Sequence, residues 1–231
     1  MNNSIPKDII LTWKHSEIPE YVIDNIRKLY PDFNIKFFSD DDCRNFIKKE
    51  YGDNYVSYFN SIQKGYNKGD FFRYCYLYKN GGYYFDIDIE HICSVHNIIE
   101  PQAKLFSVIS AVLVTHNGKP YPQIFQAVLC AEKNHPVIKK CIDDMISAGP
   151  VKVELEEPPF DHSTTHRMFI NTFNHLKRMP NHGIINDIQL GIEQHDKNCN
   201  RFYCVYGDIK FCFSRYESYK REKGFNNVIR N

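Results

Sequence analysis

Asp86 and Asp88 follow the aromatic run Tyr83-Tyr84-Phe85, and no other residues in this sequence are better suited to chemistry. The stretch Gly69-Asp70-Phe71-Phe72-Arg73-Tyr74, followed by Asn80-Gly81-Gly82-Tyr83-Tyr84-Phe85-Asp86-Ile87-Asp88, reads as helix, turn and strand, with both carboxylates delivered by the strand. Residues alternate faces along a strand. Tyr83, Phe85, Ile87 and Ile89 are therefore expected in a core, and Tyr84, Asp86, Asp88 and Glu90 on the opposite face. Like charges at this spacing repel unless a cation lies between them. Oxygen-only ligands suit magnesium or manganese, which in turn bind the phosphates of a substrate. The pattern points to a metal-bound diphosphate.

The segment that positions this pair begins at Asp70, which sits where a helix N-cap belongs, just after Gly69. The helix is expected to run to about Lys79 and to stop at Asn80-Gly81. Asp70, Arg73 and Leu77 then share one side. Arg73 becomes a cation in the first helical turn, the less favourable end for the backbone dipole. Two readings stay open for it: contact with an anionic ligand near the helix start, or a surface ion pair with Asp70.

The chain has 231 residues, 42% hydrophobic and 15% aromatic, which fits one α/β domain spanning 1–231. A formal charge of +1 lacks the basic excess of a dedicated nucleic-acid binder, so no nucleic-acid partner is expected. The basic run 215–230 reads as a solvated tail. The opening Met1-Asn2-Asn3-Ser4 has no signal-peptide pattern, and no window approaches the length of a membrane span. A soluble, cytoplasmic protein with its eight cysteines reduced is the expectation. They include no Cys-x-x-Cys pair, so they read as small core residues rather than zinc ligands.

Along the chain, Ile9 to Trp13 reads as a buried first strand, Pro19 to Leu29 as a helix, and Ile35 to Phe38 as a second strand. Ser39 with Asp40 and Asp41 caps a helix through Phe46 and Ile47, and Tyr55 to Lys64 is a further helix. Leu105 to Thr115 suits one or two strands. Ile124 to Ala131 and Val137 to Ile146 read as helices divided by Asn134-His135-Pro136. Val151 to Ser163 reads as a loop, Thr165 to Leu176 as a helix, and Arg201 to Val205 with Ile209 to Phe213 as strands around a Gly207-Asp208 turn. Alternating strands and helices indicate an α/β sheet with ligands at the carboxyl ends of its strands.

Other constellations carry less. His162 and His166 are four apart, but Ser163 stands where a metalloprotease has Glu, so a polar helix start is the simpler reading. Asp143-Asp144 reads as a solvated edge. Trp13, the only tryptophan, is either core or a face for a stacked base.

The sequence also resembles a known family. Ile5-Pro6-Lys7 leading through a strand to Thr12-Trp13, then Asp70-x-x-Arg73-Tyr74, Leu77-Tyr78, Gly81-Gly82, Tyr84 and Asp86-x-Asp88, is similar to the signature of the DXD sugar transferases. That group contains glycosyltransferase family 32, the yeast initiating mannosyltransferase type, and the catalytic domains of clostridial glucosylating toxins. Ala127 to Pro136 and Gly149-Pro150 resemble later motifs of the group. The resemblance implies a GT-A-like nucleotide-sugar-binding fold, a mixed central sheet flanked by helices. It implies hexose transfer, with retention, from a nucleotide sugar to a glycan or other hydroxyl acceptor. UDP-hexose is the favoured donor and GDP-mannose the second. It implies a divalent cation, Mn2+ or Mg2+, held with the diphosphate by Asp86 and Asp88. Trp13, beside Thr12, would stack on the base, and Asp70 and Arg73 would hold the sugar or ribose; no nucleophile is implied. The chain departs from the family in lacking a His near its C-terminus, where Asn226, Asn227 or His195 would have to substitute.

Two rival classes remain. A haloacid-dehalogenase-type phosphatase carries Asp-x-Asp early, followed by Thr or Val; here about a third of the chain precedes the motif and Ile89 follows it. A non-catalytic carbohydrate-binding protein would use the aromatics but has no need of Asp86, Asp88 and Arg73 together.

Overall fold

The structure is a computed structural model that describes residues 4–13, 17–116, 119–149, 164–196 and 201–214. The first strand, β1 (Asp8–Thr12), is followed by α1 (Glu20–Leu29), β2 (Asn34–Phe38), α2 (Asp40–Tyr51), α3 (Asp53–Ser61) and α4 (Gly65–Asn80). Next come β3 (Gly82–Phe85), β4 (Glu90–His91), β5 (Leu105–Ile109), β6 (Val114–His116), β7 (Lys119–Tyr121) and β8 (Ile124–Ala131). The chain continues through α5 (Pro136–Ala148), α6 (Thr164–Leu176), β9 (Gly183–Ile185), β10 (Ile188–Asp196), β11 (Arg201–Tyr206) and β12 (Ile209–Ser214). The expected mixed sheet flanked by helices is present.

Most local expectations hold to within a few residues. Ser39 caps α2 through a full capping box with Asp42, and His135 caps α5 through its side chain. The Gly207-Asp208 turn joins β11 to β12 in antiparallel register. The 151–163 segment and the tail with Asn226 and Asn227 lie outside the described residues.

Three expectations are corrected. Ile124 to Ala131 is the strand β8, not a helix; it runs antiparallel between β3 and β5 and is buried on both faces. A short apolar run carries no periodicity that separates the two. Next, α4 begins at Gly65, so Asp70 lies inside the helix rather than at its cap. Lys64 at the cap position makes no side-chain bond, which left the true start without a signal. The end is as expected: Gly81, at φ 70°, donates its N–H to Leu77. Finally, β3 ends at Phe85, and Asp86 to Ile89 form a turn closed by Ile89 N–H to Asp86 O at 3.2 Å.

The sheet runs β2-β1-β3-β8-β5-β10-β11-β12-β4, with β9 on the side of β10 and a separate β6-β7 ribbon. Strands β1, β2 and β3 run parallel, as do β5 and β10. Because β8 is antiparallel to both β3 and β5, all five point the same way and end at one edge. The four-residue turn after β3 delivers β4 to β12 at the far end of the order, so the sheet curls back toward its own middle. Helices α2 to α6 cover one face with Ile10 and Tyr84. Helix α1 packs on the other with Ile9, Leu11, Tyr83 and Phe85. Ile87 and Ile89 enter that second core as expected. No helix among the described residues is long and apolar enough to cross a membrane.

His91 ties the curl together. Its backbone exchanges hydrogen bonds with the Asn25 side chain of α1, and its ring lies edge-on to Phe85 at 4.4 Å. Tyr30 OH accepts from Val95 N–H and therefore donates to His91 Nδ1. The ring is neutral, and burial pushes its pKa down to about 3. The unfolded chain binds this proton below about pH 6.5 while the folded one does not, so stability falls as pH drops. Between pH 7.5 and 5.5 His91 should account for a loss of about 1.4 kcal/mol. Urea titrations should show a smaller loss in His91→Gln; an identical loss in both proteins would show that His91 is not held neutral.

Candidate active site

Arg73 is the centre of the site. It is 4% exposed, in the interior of α4. Its Nη2 lies 3.0 Å from Asp70 Oδ1 and 3.0 Å from Asp86 Oδ1, and its Nη1 donates to Gln126 O at 2.6 Å. The guanidinium stands over the Tyr84 ring at 4.5 Å. The surface ion pair and the first-turn cation are both set aside: this is a buried charge that joins α4, β3 and β8. Burial works against its ionisation, but Asp86, Tyr84 and Asp70 outweigh it and raise the pKa above the ordinary value. Asp70 shifts the other way from a plain ion pair, because burial makes it a weaker acid despite Arg73 and Thr164. The geometry favours the ionised pair, since both Asp70 oxygens accept, one from Arg73 and one from the Thr164 hydroxyl.

Around this centre the parallel strand ends bring the other expected residues to one edge. Thr12, at the end of β1, shares a 2.7 Å hydrogen bond with Tyr84 OH. Gly69 of α4 faces this group: a Cβ there would lie in ordinary contact with Tyr84 OH at 3.7 Å, Arg73 Nη2 at 3.8 Å and Thr12 Oγ1 at 3.9 Å. Trp13 follows directly, half-buried against the core on the α1 side, with its N–H on Phe38 O. Asp86 and Asp88 are both half-buried in the turn after β3. Of the shared face expected for Tyr84, Asp86, Asp88 and Glu90, only the two aspartates remain together. Tyr84 is buried against α4, and Glu90 pairs with Arg201.

Sequence reasoning missed Thr164, Tyr84 and the Gln126 carbonyl. Tyr84 was legible as the residue two before Asp86; Thr164 was not, being 94 positions from Asp70. His195, considered as a metal contact, has its ring against Phe202 at 4.7 Å on β11. His166 holds the Pro122 carbonyl through Nδ1, in keeping with a polar helix start rather than a zinc site.

A polar chain continues around the same edge. Thr165 donates to Gln123, Gln123 to Val112 O, and Ser110, Ala111 and Ser214 all donate to the buried carboxylate of Glu193. It fixes the ends of β5, β10 and β12 beside the turn that carries Asp86 and Asp88.

The donor set fits a hard divalent cation. Two carboxylates, Asp70 and Asp86, face one guanidinium, Asp88 follows two residues on in the same turn, and carboxylate oxygens are the ligand type that Mg2+ and Mn2+ take. Asp86 spends Oδ1 on Arg73, and its side chain stays 35% exposed.

Residues 17–105 match the family model described as "Glycosyltransferase sugar-binding region containing DXD motif". The sugar-transferase resemblance is borne out over this segment. It contains Asp70, Arg73, Asp86 and Asp88 and ends as β5 begins. Inositol phosphoceramide mannosyltransferase 3 of Schizosaccharomyces pombe is 35% identical over 89 residues, covering 37% of this chain and 25% of that protein. Inositol phosphoceramide mannosyltransferase 2 of the same yeast is 36% identical over 87 residues, covering 36% and 25%. The match thus spans about a quarter of the length of these curated relatives. The solved PaToxG glycosyltransferase aligns with a TM-score of 0.49 at 17% identity, covering 75% of this chain and 70% of that one.

Removing one partner of a buried ion pair strands the other. Arg73→Ala should therefore lower unfolding free energy by about 3–5 kcal/mol. Arg73→Lys, which keeps the charge and loses the planar fork, should lower it by about 1.5–3 kcal/mol. Denaturant titrations check both. A loss below about 0.5 kcal/mol in Arg73→Ala would show that the network does not hold α4 to β3.

Proposed function

We propose that this chain is a GT-A-like glycosyltransferase, working as one domain over 1–231, that moves a hexose from a nucleotide sugar to a hydroxyl acceptor. The observation that supports it best is the Asp70–Arg73–Asp86 network set beside Asp88, at the edge where the parallel strands end. Asp86 and Asp88 would hold Mn2+ or Mg2+ against the diphosphate. When bound, the ion supplies Lewis-acid stabilisation of the charge on the departing diphosphate. Arg73 fixes one Asp86 oxygen, which would leave the other for the metal. Asp70, braced by Thr164, would accept from a sugar or ribose hydroxyl. Trp13, with Thr12 beside it, would offer its ring to the base.

No side chain is assigned as a nucleophile, which accords with a retaining transfer at a single face. UDP-hexose is the donor we favour. The names of the two yeast relatives make GDP-mannose the second to test. The acceptor is a glycan or another hydroxyl compound. A reducing compartment such as the cytoplasm suits Cys204 and Cys212, which stand opposite each other on β11 and β12 as free thiols.

Release of free nucleoside diphosphate from UDP- and GDP-sugars tests this reading. Turnover should require Mn2+ or Mg2+, stop with chelator, and fall at least about a hundredfold, about 2.7 kcal/mol, in Asp88→Asn. The apo melting temperature of that variant should hardly move. Unchanged turnover in Asp88→Asn would overturn the metal assignment. Sugar binding without nucleotide release would leave a carbohydrate-binding protein instead.

A further inference from the structure

At the opposite edge of the sheet stands a second cluster of ligating side chains. His135 follows β8, whose end lies beside the start of β3 because Gly82 pairs with Ala131. Asp187 lies in the Asn186-Asp187 turn that leads into β10, with Asn186 at φ 55°. His175 lies at the end of α6, whose first residue, Thr164, holds Asp70. At 1.5 Å per residue, the eleven steps from Thr164 to His175 put about 16 Å between the two ends.

His175 Nε2 is 3.0 Å from Asp187 Oδ1, and His135 Nε2 is 3.7 Å from Asp187 Oδ2. One ligand atom from each residue falls within 4.8 Å of the others. Nitrogen and oxygen bound to one tetrahedral zinc stand about 3.3 Å apart. His135 Nε2 is buried and has no hydrogen-bond partner, although its side chain is aimed at Asp187. A buried polar atom left unpaired is costly, so it marks a missing partner. The side chains of Asp187 and His175 are 27% exposed, which leaves an entry path. Lys104, whose charge bears on His135, is paired with Glu132 at 3.2 Å.

We propose that His135, His175 and Asp187 form a binding site for a late divalent metal such as Zn2+, separate from the aspartate pair at the other edge. Two imidazoles and a carboxylate suit zinc, with water in the fourth position, whereas the oxygen-only pair suits Mg2+ or Mn2+. The site joins the start of α5, the end of α6 and the turn before β10. Loading carries a local cost. His135 Nδ1 now accepts from Val137 N–H at 3.3 Å, so the neutral ring holds its proton on Nε2. Binding through Nε2 moves that proton to Nδ1 and breaks the cap. The cap is a single hydrogen bond, and the bonds to the metal replace it. Burial lowers the pKa of His135, which keeps the ring neutral and fit to ligate. Burial raises the pKa of Asp187, but the His175 hydrogen bond is the largest effect that lowers it, and the balance falls below the ordinary carboxylate value, so this ligand stays ionised.

The test uses chelator-treated full-length protein titrated with Co2+ and, separately, Zn2+. One equivalent of Co2+ should give the intense visible absorption of a tetrahedral site. Zn2+ should displace it, raise the melting temperature and speed exchange of the Val137 amide. His175→Gln, at a partly exposed position, should fold and lose the Co2+ spectrum; Asp88→Asn should keep it. Absence of tetrahedral Co2+ in the wild type, or a spectrum unaffected by His175→Gln, would overturn the proposal. Loss of the spectrum in Asp88→Asn would move the metal to the other edge and do the same.

Discussion

A guanidinium buried inside a helix has to be paired, and the architecture of the candidate site follows from how this chain pairs Arg73. Moving a charge out of water costs several kcal/mol even after relaxation. Asp70 one turn earlier, Asp86 after β3 and the Gln126 carbonyl of β8 together meet that cost. Each partner comes from a different element, so α4, β3 and β8 can occupy only one relative arrangement while the network is satisfied. Asp86 is therefore held twice: its N–H donates to Ala127 O of β8 at 2.9 Å, and Arg73 fixes its carboxylate at 3.0 Å.

The curled sheet supplies the rest. All the parallel strands end at one edge, and the turn after β3 carries the chain straight to β12. Glu90, two residues after Asp88, pairs with Phe213 of β12, and the next residue, Ser214, donates to the buried Glu193, which also gathers Ser110 and Ala111. Helix α6 spans the molecule from Asp70 at this edge to Asp187 at the other. Its two ends rest on polar side chains, while Met168, Phe169 and Leu176 pack into the core between them.

What was legible in the sequence follows from the range of the interactions. Local signals were read well: the Ser39–Asp42 capping box, the Gly81 helix end, the Pro136 start of α5 and the Gly207 turn all act within a few residues. The alternation that sends Phe85, Ile87 and Ile89 inward survived even though β3 ends at Phe85. The failures have physical causes. The run in β8 is apolar but for Gln126 because it is the antiparallel strand between β3 and β5, so it has no polar face to give it a period. Helix α4 starts without a capping side chain, which let Asp70 look like its first residue. The Thr164–Asp70 bond and the His135–Asp187–His175 cluster join residues that only the tertiary fold brings together.

The central claim is that Arg73 holds one oxygen of Asp86 so that the other, with Asp88, receives a metal-bound diphosphate. Crystals grown with Mn2+ and a nucleoside diphosphate test it most directly through manganese anomalous scattering. The account predicts a manganese peak within bonding distance of Asp86 or Asp88, with Asp86 still hydrogen-bonded to Arg73 and the diphosphate on the metal. A nucleotide bound without manganese at these aspartates, or an Asp86 that leaves Arg73 when the metal binds, would contradict it.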